Sequence, residues 1–266
     1  MITSKTNRKV KYVRSLRRRP VRHREGRFAV EGVRLIEEMI KAGQEPAFFF
    51  CTEAGVASPR AQALVEALAS LDAEVLPVSE EVMLFIADTK TPQGVLAVAA
   101  FPQIEPKESG LSLVLDGVRD PGNLGTILRT AEAAGVGQVV TLRGTVDVFS
   151  PKVVRGGMGA HFRLPILADR RWEEVEGALE QRQILLADAA GGTPYYQVDW
   201  TVPTTLIVGG EAHGAGRKAR GFAAERVTIP MQGSVDSLNV AVATSILLFE
   251  AARQRRAAGV IAEDSG

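Results

Sequence analysis

Between residues 28 and 100 the chain alternates short apolar runs with stretches in which apolar residues recur every three or four positions. Runs at 28–30, 48–51, 75–77 and 95–100 read as strands, and segments 33–39, 61–68 and 82–86 read as helices. Strand and helix taking turns predicts a small α/β domain with a parallel or mixed sheet. Residues 101–110, with Pro102, Pro106, Ser109 and Gly110 and no periodicity, read as a linker. A second alternating series follows. It has strands at 111–115, 139–142, 164–167, 184–187, 206–208 and 227–229, and helices near 124–134, 151–158 and 172–181. A last helix spans 237–255. The expected fold class is therefore α/β throughout, with one domain over residues 1–104 and a second over 110–259.

The last helix differs from the others. Val240, Ala241, Val242, Ala243, Ile246, Leu247, Leu248 and Phe249 leave it apolar nearly all round, so it is expected to be covered on most sides, by the fold or by a second subunit. At 45% hydrophobic and 24% charged residues, the composition is that of an ordinary globular protein. No apolar run reaches the length of a membrane span, and the basic amino terminus is not followed by an apolar core. A cytoplasmic location with no membrane partner is expected. Cys51 is the single cysteine, which excludes an internal disulfide and a cysteine-based zinc cluster. Its neighbours Phe48, Phe49 and Phe50 suggest a buried strand position.

Net charge of +1 conceals a strong asymmetry. Residues 5–27 carry eleven Lys or Arg against the single acid Glu25, so the remainder is acidic. That distribution suits a region that approaches a polyanion, or else a solvated terminus.

Three Gly- and Asn-rich stretches each follow an apolar strand, at 116–125, 209–216 and 230–239. Loops beyond the carboxyl ends of strands form the ligand crevice of open α/β sheets, so three of them in one domain suggest one composite site. In the first, Pro121 and Gly122 turn the chain, Asn123 is a suitable N-cap, and Leu124, Ile127, Leu128 and Ala131 form an apolar stripe. Arg129 lies on another face with Gly125 and Glu132, where it could meet a phosphate or carboxylate or pair with Glu132 or Glu25. The second stretch puts Glu211 after a glycine pair, able to bind a hydroxyl, contact a basic group or cap a turn. The third places Asp236, Ser237 and Asn239 at the mouth of the last helix, where capping and ligand contact could coexist.

Other chemistries lack their motifs. There is no G-x-x-x-x-G-K-[ST], no G-x-G-x-x-G after the first strand of either domain, no H-E-x-x-H and no G-x-S-x-G. His23, His161 and His213 are the only histidines, and no metal site is expected.

The three stretches, in this order, resemble the three motifs of the SpoU branch of the SPOUT superfamily, the trefoil-knotted RNA 2′-O-ribose methyltransferases. Asp-Pro-Gly-Asn-Leu-Gly-Thr-Ile-Leu-Arg-Thr-Ala at 120–131 is similar to the first. Ile-Val-Gly-Gly-Glu-Ala-His-Gly at 207–214 is similar to the second, and Ile-Pro-Met-Gln-Gly-Ser-Val-Asp-Ser-Leu-Asn-Val-Ala-Val-Ala at 229–243 to the third. The second motif usually has glycine where this chain has Ala212, a departure that touches only details of that loop. Residues 1–100 more loosely resemble the substrate-binding domain that precedes the catalytic domain in many members, a fold shared with a ribosomal-protein family.

The resemblance implies a knotted methyltransferase domain that uses S-adenosylmethionine, with Asn123, Arg129, Glu211, Ser237 and Asn239 in the active site. It places the cofactor near Gly209, Gly210, Ile229, Met231 and Leu238. Family models give proton abstraction to the first-motif arginine, Arg129. Arginine is normally protonated, so it is assigned here to positioning and electrostatics, with the base left open. Asn123 and Asn239 would orient the ribose or Arg129, Ser237 would bond within that network, and Glu211 would fix Arg129 or the substrate. Lys9, Arg14, Arg17, Arg18 and Arg19 would engage RNA phosphates. A homodimer is implied as well, because family active sites form beside a dimer interface. Ribosomal RNA is the expected substrate, with transfer RNA, or a non-catalytic RNA-binding role on the same fold, as the alternatives.

Overall fold

A computed structural model describes residues 1–71, 73–107, 109–179 and 182–260. The basic segment opens it with two helices. In α1 (Arg8–Ser15) the Asn7 side chain caps the start by accepting from the backbone N–H of Lys9 and Val10. The second helix, α2 (Arg19–Glu25), ends at Gly26 in the left-handed conformation, φ 59°. Then come β1 (Arg27–Glu31), α3 (Val33–Lys41), β2 (Pro46–Cys51), α4 (Pro59–Ser70), β3 (Val75–Pro77), α5 (Glu80–Ile86) and β4 (Val95–Ala100). The second series runs β5 (Leu111–Asp116), α6 (Pro121–Ala133), β6 (Gln138–Leu142), α7 (Pro151–Gly157) and β7 (Ile166–Arg170). It continues through β8 (Gln183–Ala187), β9 (Thr193–Pro194), β10 (Thr204–Gly209), α8 (Arg217–Phe222), β11 (Glu225–Thr228) and α9 (Val240–Ala257).

Contacts divide the chain into two compact units, Met1–Gln103 with Phe149–Phe162, and Ile104–Val148 with Arg163–Gly266. The first holds a mixed sheet in the order β1-β4-β2-β3. Its basic segment is not a loose arm. Val10, Val13, Leu16 and Val21 stand at helical spacing among the charges and are buried with Phe48, Phe50, Met83, Ile86 and Val98. In the sequence the density of charge masks this stripe. Cys51 is buried in β2, and burial pushes its thiol up, so it is a packed core residue.

The helix expected at 151–158 forms as α7, within the first unit. Aromatic packing explains its place. Phe149 stacks on Phe101 with ring centres 3.8 Å apart, Phe28 meets both Phe149 and Phe162, and Arg155 pairs with Asp88 at 2.9 Å.

The second unit is built on seven parallel strands in the order β7-β6-β5-β10-β8-β11-β9. Every residue of β10 is buried, as befits a central strand covered on both faces. Several elements differ from expectation. The helix expected over 172–181 is two 3-10 turns, Trp172–Glu174 and Glu176–Leu179, while Glu180 and Gln181 lie outside the described residues. Glu108 of the expected linker lies outside them too. The strand expected from 164 begins at Ile166, and the short α8 and β9 lacked any periodicity long enough to read.

Candidate active site

Strands β5, β10, β8 and β11 are consecutive neighbours, so the segments leaving their carboxyl ends open along one edge of the sheet. The loop after β5 leads into α6, whose N-cap is Asp120: its Oδ1 accepts from the Asn123 N–H at 2.8 Å. Asn123, expected as the cap, sits inside the first turn, because Pro121 takes the first helical position where no N–H is needed. Its side chain is thereby available for other contacts.

Those contacts join the three loops. Asn239 Nδ2 donates to Asn123 Oδ1 at 3.0 Å, and Asn123 Nδ2 donates to Glu211 Oε1 at 2.9 Å. Glu211 also accepts from the backbone N–H groups of Arg119 and Asp120, at 3.2 and 3.3 Å. Asn239 in turn caps α9 through the N–H groups of Ala241 and Val242, so the last helix starts at Val240, later than expected. Asp116 Oδ2 accepts from the Gly216 N–H at 2.7 Å, a further tie between the first and second loops. Partial burial raises the Glu211 carboxyl, but hydrogen bonds from Asn123 and the backbone outweigh it and hold the group below the ordinary glutamate range.

Arg129 is not part of this chain of hydrogen bonds. Glu211, expected to fix it, is committed to the first loop, and Glu132 pairs with Arg163 at 3.0 Å. Arg129 is exposed on α6, with no hydrogen bond or ion pair among the described residues. Ser237 is exposed and likewise takes no hydrogen bond there.

Beside the loops lies a cavity of about 560 Å³, within the range of cofactor sites. Gly209, Gly210, Ile229, Met231 and Leu238 all line it, together with Glu211, Ser237 and Asn239. The glycine pair has a steric cause: a Cβ at Gly209 would stand 2.0 Å from the Ala215 nitrogen, and one at Gly210 would stand 2.2 Å from the Gly117 oxygen. One wall of the cavity lies outside the three motif stretches. Leu186, Ala187, Asp188, Ala189 and Ala190 line the cavity from the end of β8, which runs between β10 and β11. The signal was present in Gly191 and Gly192, another glycine pair after an apolar strand. Arg220 of α8 also reaches the cavity.

Several of the residues expected to engage RNA phosphates are held within the first unit. Lys9 pairs with Glu74, Arg14 donates to the Phe85 carbonyl at 2.8 Å, and Arg17 pairs with Asp88 at 3.1 Å. Arg18 and Arg19 are exposed at the start of α2. Among the described residues no cluster of His, Cys, Asp or Glu is placed to hold a metal ion, and no helix is long and apolar enough to cross a membrane.

Comparison with known proteins matches residues 110–249 to the SpoU rRNA methylase family, more than half of the chain. The chain belongs to that family. Residues 7–97 match the MRM3-like substrate binding domain. Mouse (Mus musculus) mitochondrial rRNA methyltransferase 3 is 34% identical, over 90% of this chain and 70% of the relative. The 23S rRNA (guanosine(2553)-2′-O)-methyltransferase RlmP of Bacillus subtilis is 31% identical, over 93% of this chain and 97% of the relative. Among solved structures, an rRNA methyltransferase from Sinorhizobium meliloti with bound AdoMet superposes with a TM-score of 0.83 at 32% identity, covering 95% of this chain and 97% of that one. This SpoU-family protein is an RNA 2′-O-methyltransferase dependent on S-adenosylmethionine, and its catalytic unit has the SPOUT fold that the three motifs imply.

Proposed function

We propose that this SpoU-family enzyme methylates ribosomal RNA, with S-adenosylmethionine held in the cavity at the ends of β10, β8 and β11 and the ribose received at the Asn123–Glu211–Asn239 junction. The observation that carries the reading is the chain of side-chain hydrogen bonds running through all three motif loops at the rim of that cavity. The lining fits such a cofactor. Leu186, Val208, Val227, Ile229 and Leu238 give apolar walls for a purine, and the close-packed glycines put backbone within reach of polar groups.

When bound, S-adenosylmethionine supplies an electrophilic methyl on a sulfonium. The chain's own residues must hold the 2′-oxygen in line and stabilise charge that grows on it. Arg129, exposed and without a polar partner among the described residues, is available to meet an incoming phosphate or the developing alkoxide. Asn123 and Asn239 present amides fixed by their mutual bond, and Ser237 offers a hydroxyl from the cavity wall. Glu211 anchors this group. Its carboxyl, held low, makes a poor proton acceptor at neutral pH, which favours an orienting role.

Two further assignments accompany this reading. Val242 and Phe249 of α9 are 48% and 52% exposed, an uncovered apolar stripe on a helix expected to be covered, and a second copy of the chain would bury it. The proposed RNA phosphate contacts are Lys9, Arg14, Arg17, Arg18 and Arg19, of which Arg17, Arg18 and Arg19 are exposed. The compartment on this reading is that of the ribosomal substrate, the cytoplasm.

Arg129→Ala is expected to abolish methylation while leaving S-adenosylmethionine binding by calorimetry nearly intact; retained turnover would overturn the assignment of Arg129. Mapping 2′-O-methyl groups in ribosomal and transfer RNA from cells with and without the protein tests the substrate. A methyl lost only from transfer RNA would replace ribosomal RNA with the alternative. Phe249→Asp should lower the mass measured by light scattering if α9 carries the dimer contact.

A further inference from the structure

The wall after β8 holds a buried polar group of the cavity that lacks a hydrogen-bond donor. Asp188 follows β8, where the Ala190 N–H donates to its Oδ1 at 3.0 Å and fixes the carboxylate's orientation. The other oxygen, Oδ2, is buried and accepts no hydrogen bond. The whole side chain is only 12% exposed. Two guanidinium groups stand near Oδ2, Arg226 at 3.6 Å and Arg220 at 3.8 Å, both beyond hydrogen-bond range. They balance its charge without satisfying it as an acceptor. Arg220 cannot simply swing in, because its Nε donates to the Ala215 carbonyl at 2.9 Å and its Nη2 to the His213 carbonyl at 3.4 Å, pinning the second loop.

A buried carboxylate oxygen with charge compensation but no donor is an incomplete arrangement, and a cavity ligand can complete it. The charges decide which part of the ligand. A cation would face two arginines already in place, so the ammonium of the methionyl group is disfavoured there. A neutral N–H or O–H meets no such repulsion. We propose that Asp188 is a cofactor-binding residue whose Oδ2 accepts a hydrogen bond from a neutral donor on the adenosyl half of S-adenosylmethionine, a ribose hydroxyl or the adenine amino group. Arg220 acts as a positioning residue that holds the second loop against the same wall. This rests on the reading that the cavity is the cofactor site.

The test is calorimetric and needs no turnover. Asp188→Asn, close in shape, is expected to weaken 5′-methylthioadenosine and S-adenosylhomocysteine by the same factor, about 10- to 100-fold, the scale of a hydrogen bond to a charged group. Forms of 5′-methylthioadenosine lacking the 2′-hydroxyl, the 3′-hydroxyl or the 6-amino group then identify the donor. The form without it should bind the wild type weakly and lose nothing more in Asp188→Asn. Unchanged 5′-methylthioadenosine binding in Asp188→Asn would overturn the proposal, as would a loss confined to S-adenosylhomocysteine, which would point to the ammonium. A uniform loss for all three modified nucleosides would also overturn it, by showing a merely structural effect. Ala243→Phe, which fills the cavity from α9, separates the underlying reading. If it binds 5′-methylthioadenosine normally, the cavity is not the cofactor site; if it abolishes binding while Asp188→Asn does not, only the role of Asp188 falls.

Discussion

Two regions of this protein are dense in polar side chains, and they are organised by opposite rules. In the basic segment, residues 5–27, the fold is made by the few apolar residues between the charges: Val10, Val13, Leu16 and Val21 are buried, while most Lys and Arg side chains face outward. In the motif loops the polar side chains are themselves the connections, because Asn239, Asn123 and Glu211 tie three loops together by hydrogen bonds. The difference separates stability from function in the first region and merges them in the second. Outward-facing charge in the basic helices can be altered without touching what holds them, unlike the buried Arg22, which donates to the Leu16 and Arg17 carbonyls at 2.8 Å, whereas no member of the loop network can be altered without disturbing the other two.

The contrast breaks most severely at the apolar residues of the first region. Leu16→Ala removes a side chain that is 1% exposed and should cost about 2–5 kcal/mol in urea unfolding, as buried leucine truncations do. A loss within about 0.5 kcal/mol would mean that α1 is only a surface addition. In the second region Asn123→Ala should act the other way round. It leaves Asn239 Nδ2 without its acceptor and Glu211 with only backbone donors at the first loop, so turnover is expected to fall about 100-fold, the scale of losing one preorganised polar group. Stability should drop by only about 1 kcal/mol, because the groups freed can meet water. Equal losses in both measurements would erase the distinction.

Much of this was legible in the sequence, for identifiable reasons. The central strands are continuous apolar runs and could be read directly, and each motif loop follows one of them. The cavity-lining residues Gly209, Gly210, Ile229, Met231 and Leu238 are legible because they lie within the motif segments. What could not be read was cross-chain pairing. That Glu211 bonds Asn123 and the Arg119 and Asp120 N–H groups, and not Arg129, depends on β5 and β10 being parallel neighbours, a relation between residues about ninety positions apart. Asp188 was passed over for the same reason, since only the strand order places β8 between β10 and β11. The helices α1 and α2 were missed for a different one. Eleven basic residues drew the reading toward a solvated arm, although an apolar stripe ran through them.

A finer test uses pH. The Glu211 carboxyl titrates below its ordinary value in the folded chain, so its contribution to stability is fully present above the unfolded value and is lost as pH falls through the folded one. The stability difference between the wild type and Glu211→Gln should therefore be present at pH 7 and shrink in acid. Solvent screening of this exposed side chain keeps it below about 1 kcal/mol. A difference that stays constant down to about pH 3 would place the effect in shape and not in charge.

The smallest effect belongs to the outward charges of the first region, and it sharpens the comparison most cleanly. Arg8, Lys11 and Arg18 are exposed and make no side-chain hydrogen bond or ion pair among the described residues, in contrast to Lys9, Arg14 and Arg17. Deleting the segment would confuse two things, since it would also remove Val10, Val13 and Leu16 from the core. Single substitutions to Ala avoid that. Each should leave unfolding within about 0.5 kcal/mol of the wild type, as surface changes do. If the side chain meets a phosphate, each should also reduce the dependence of log affinity for RNA on log salt by about 0.7 to 0.9. A substitution that changes neither the slope nor the stability identifies a solvated charge, and one that changes both identifies a residue of the Lys9 kind, bound into the unit. Arg18 discriminates best, because it is exposed just before α2 while its neighbour Arg17 is held by Asp88: a slope change at Arg18 with none at Arg17 would show that the outward charges alone carry the RNA contact.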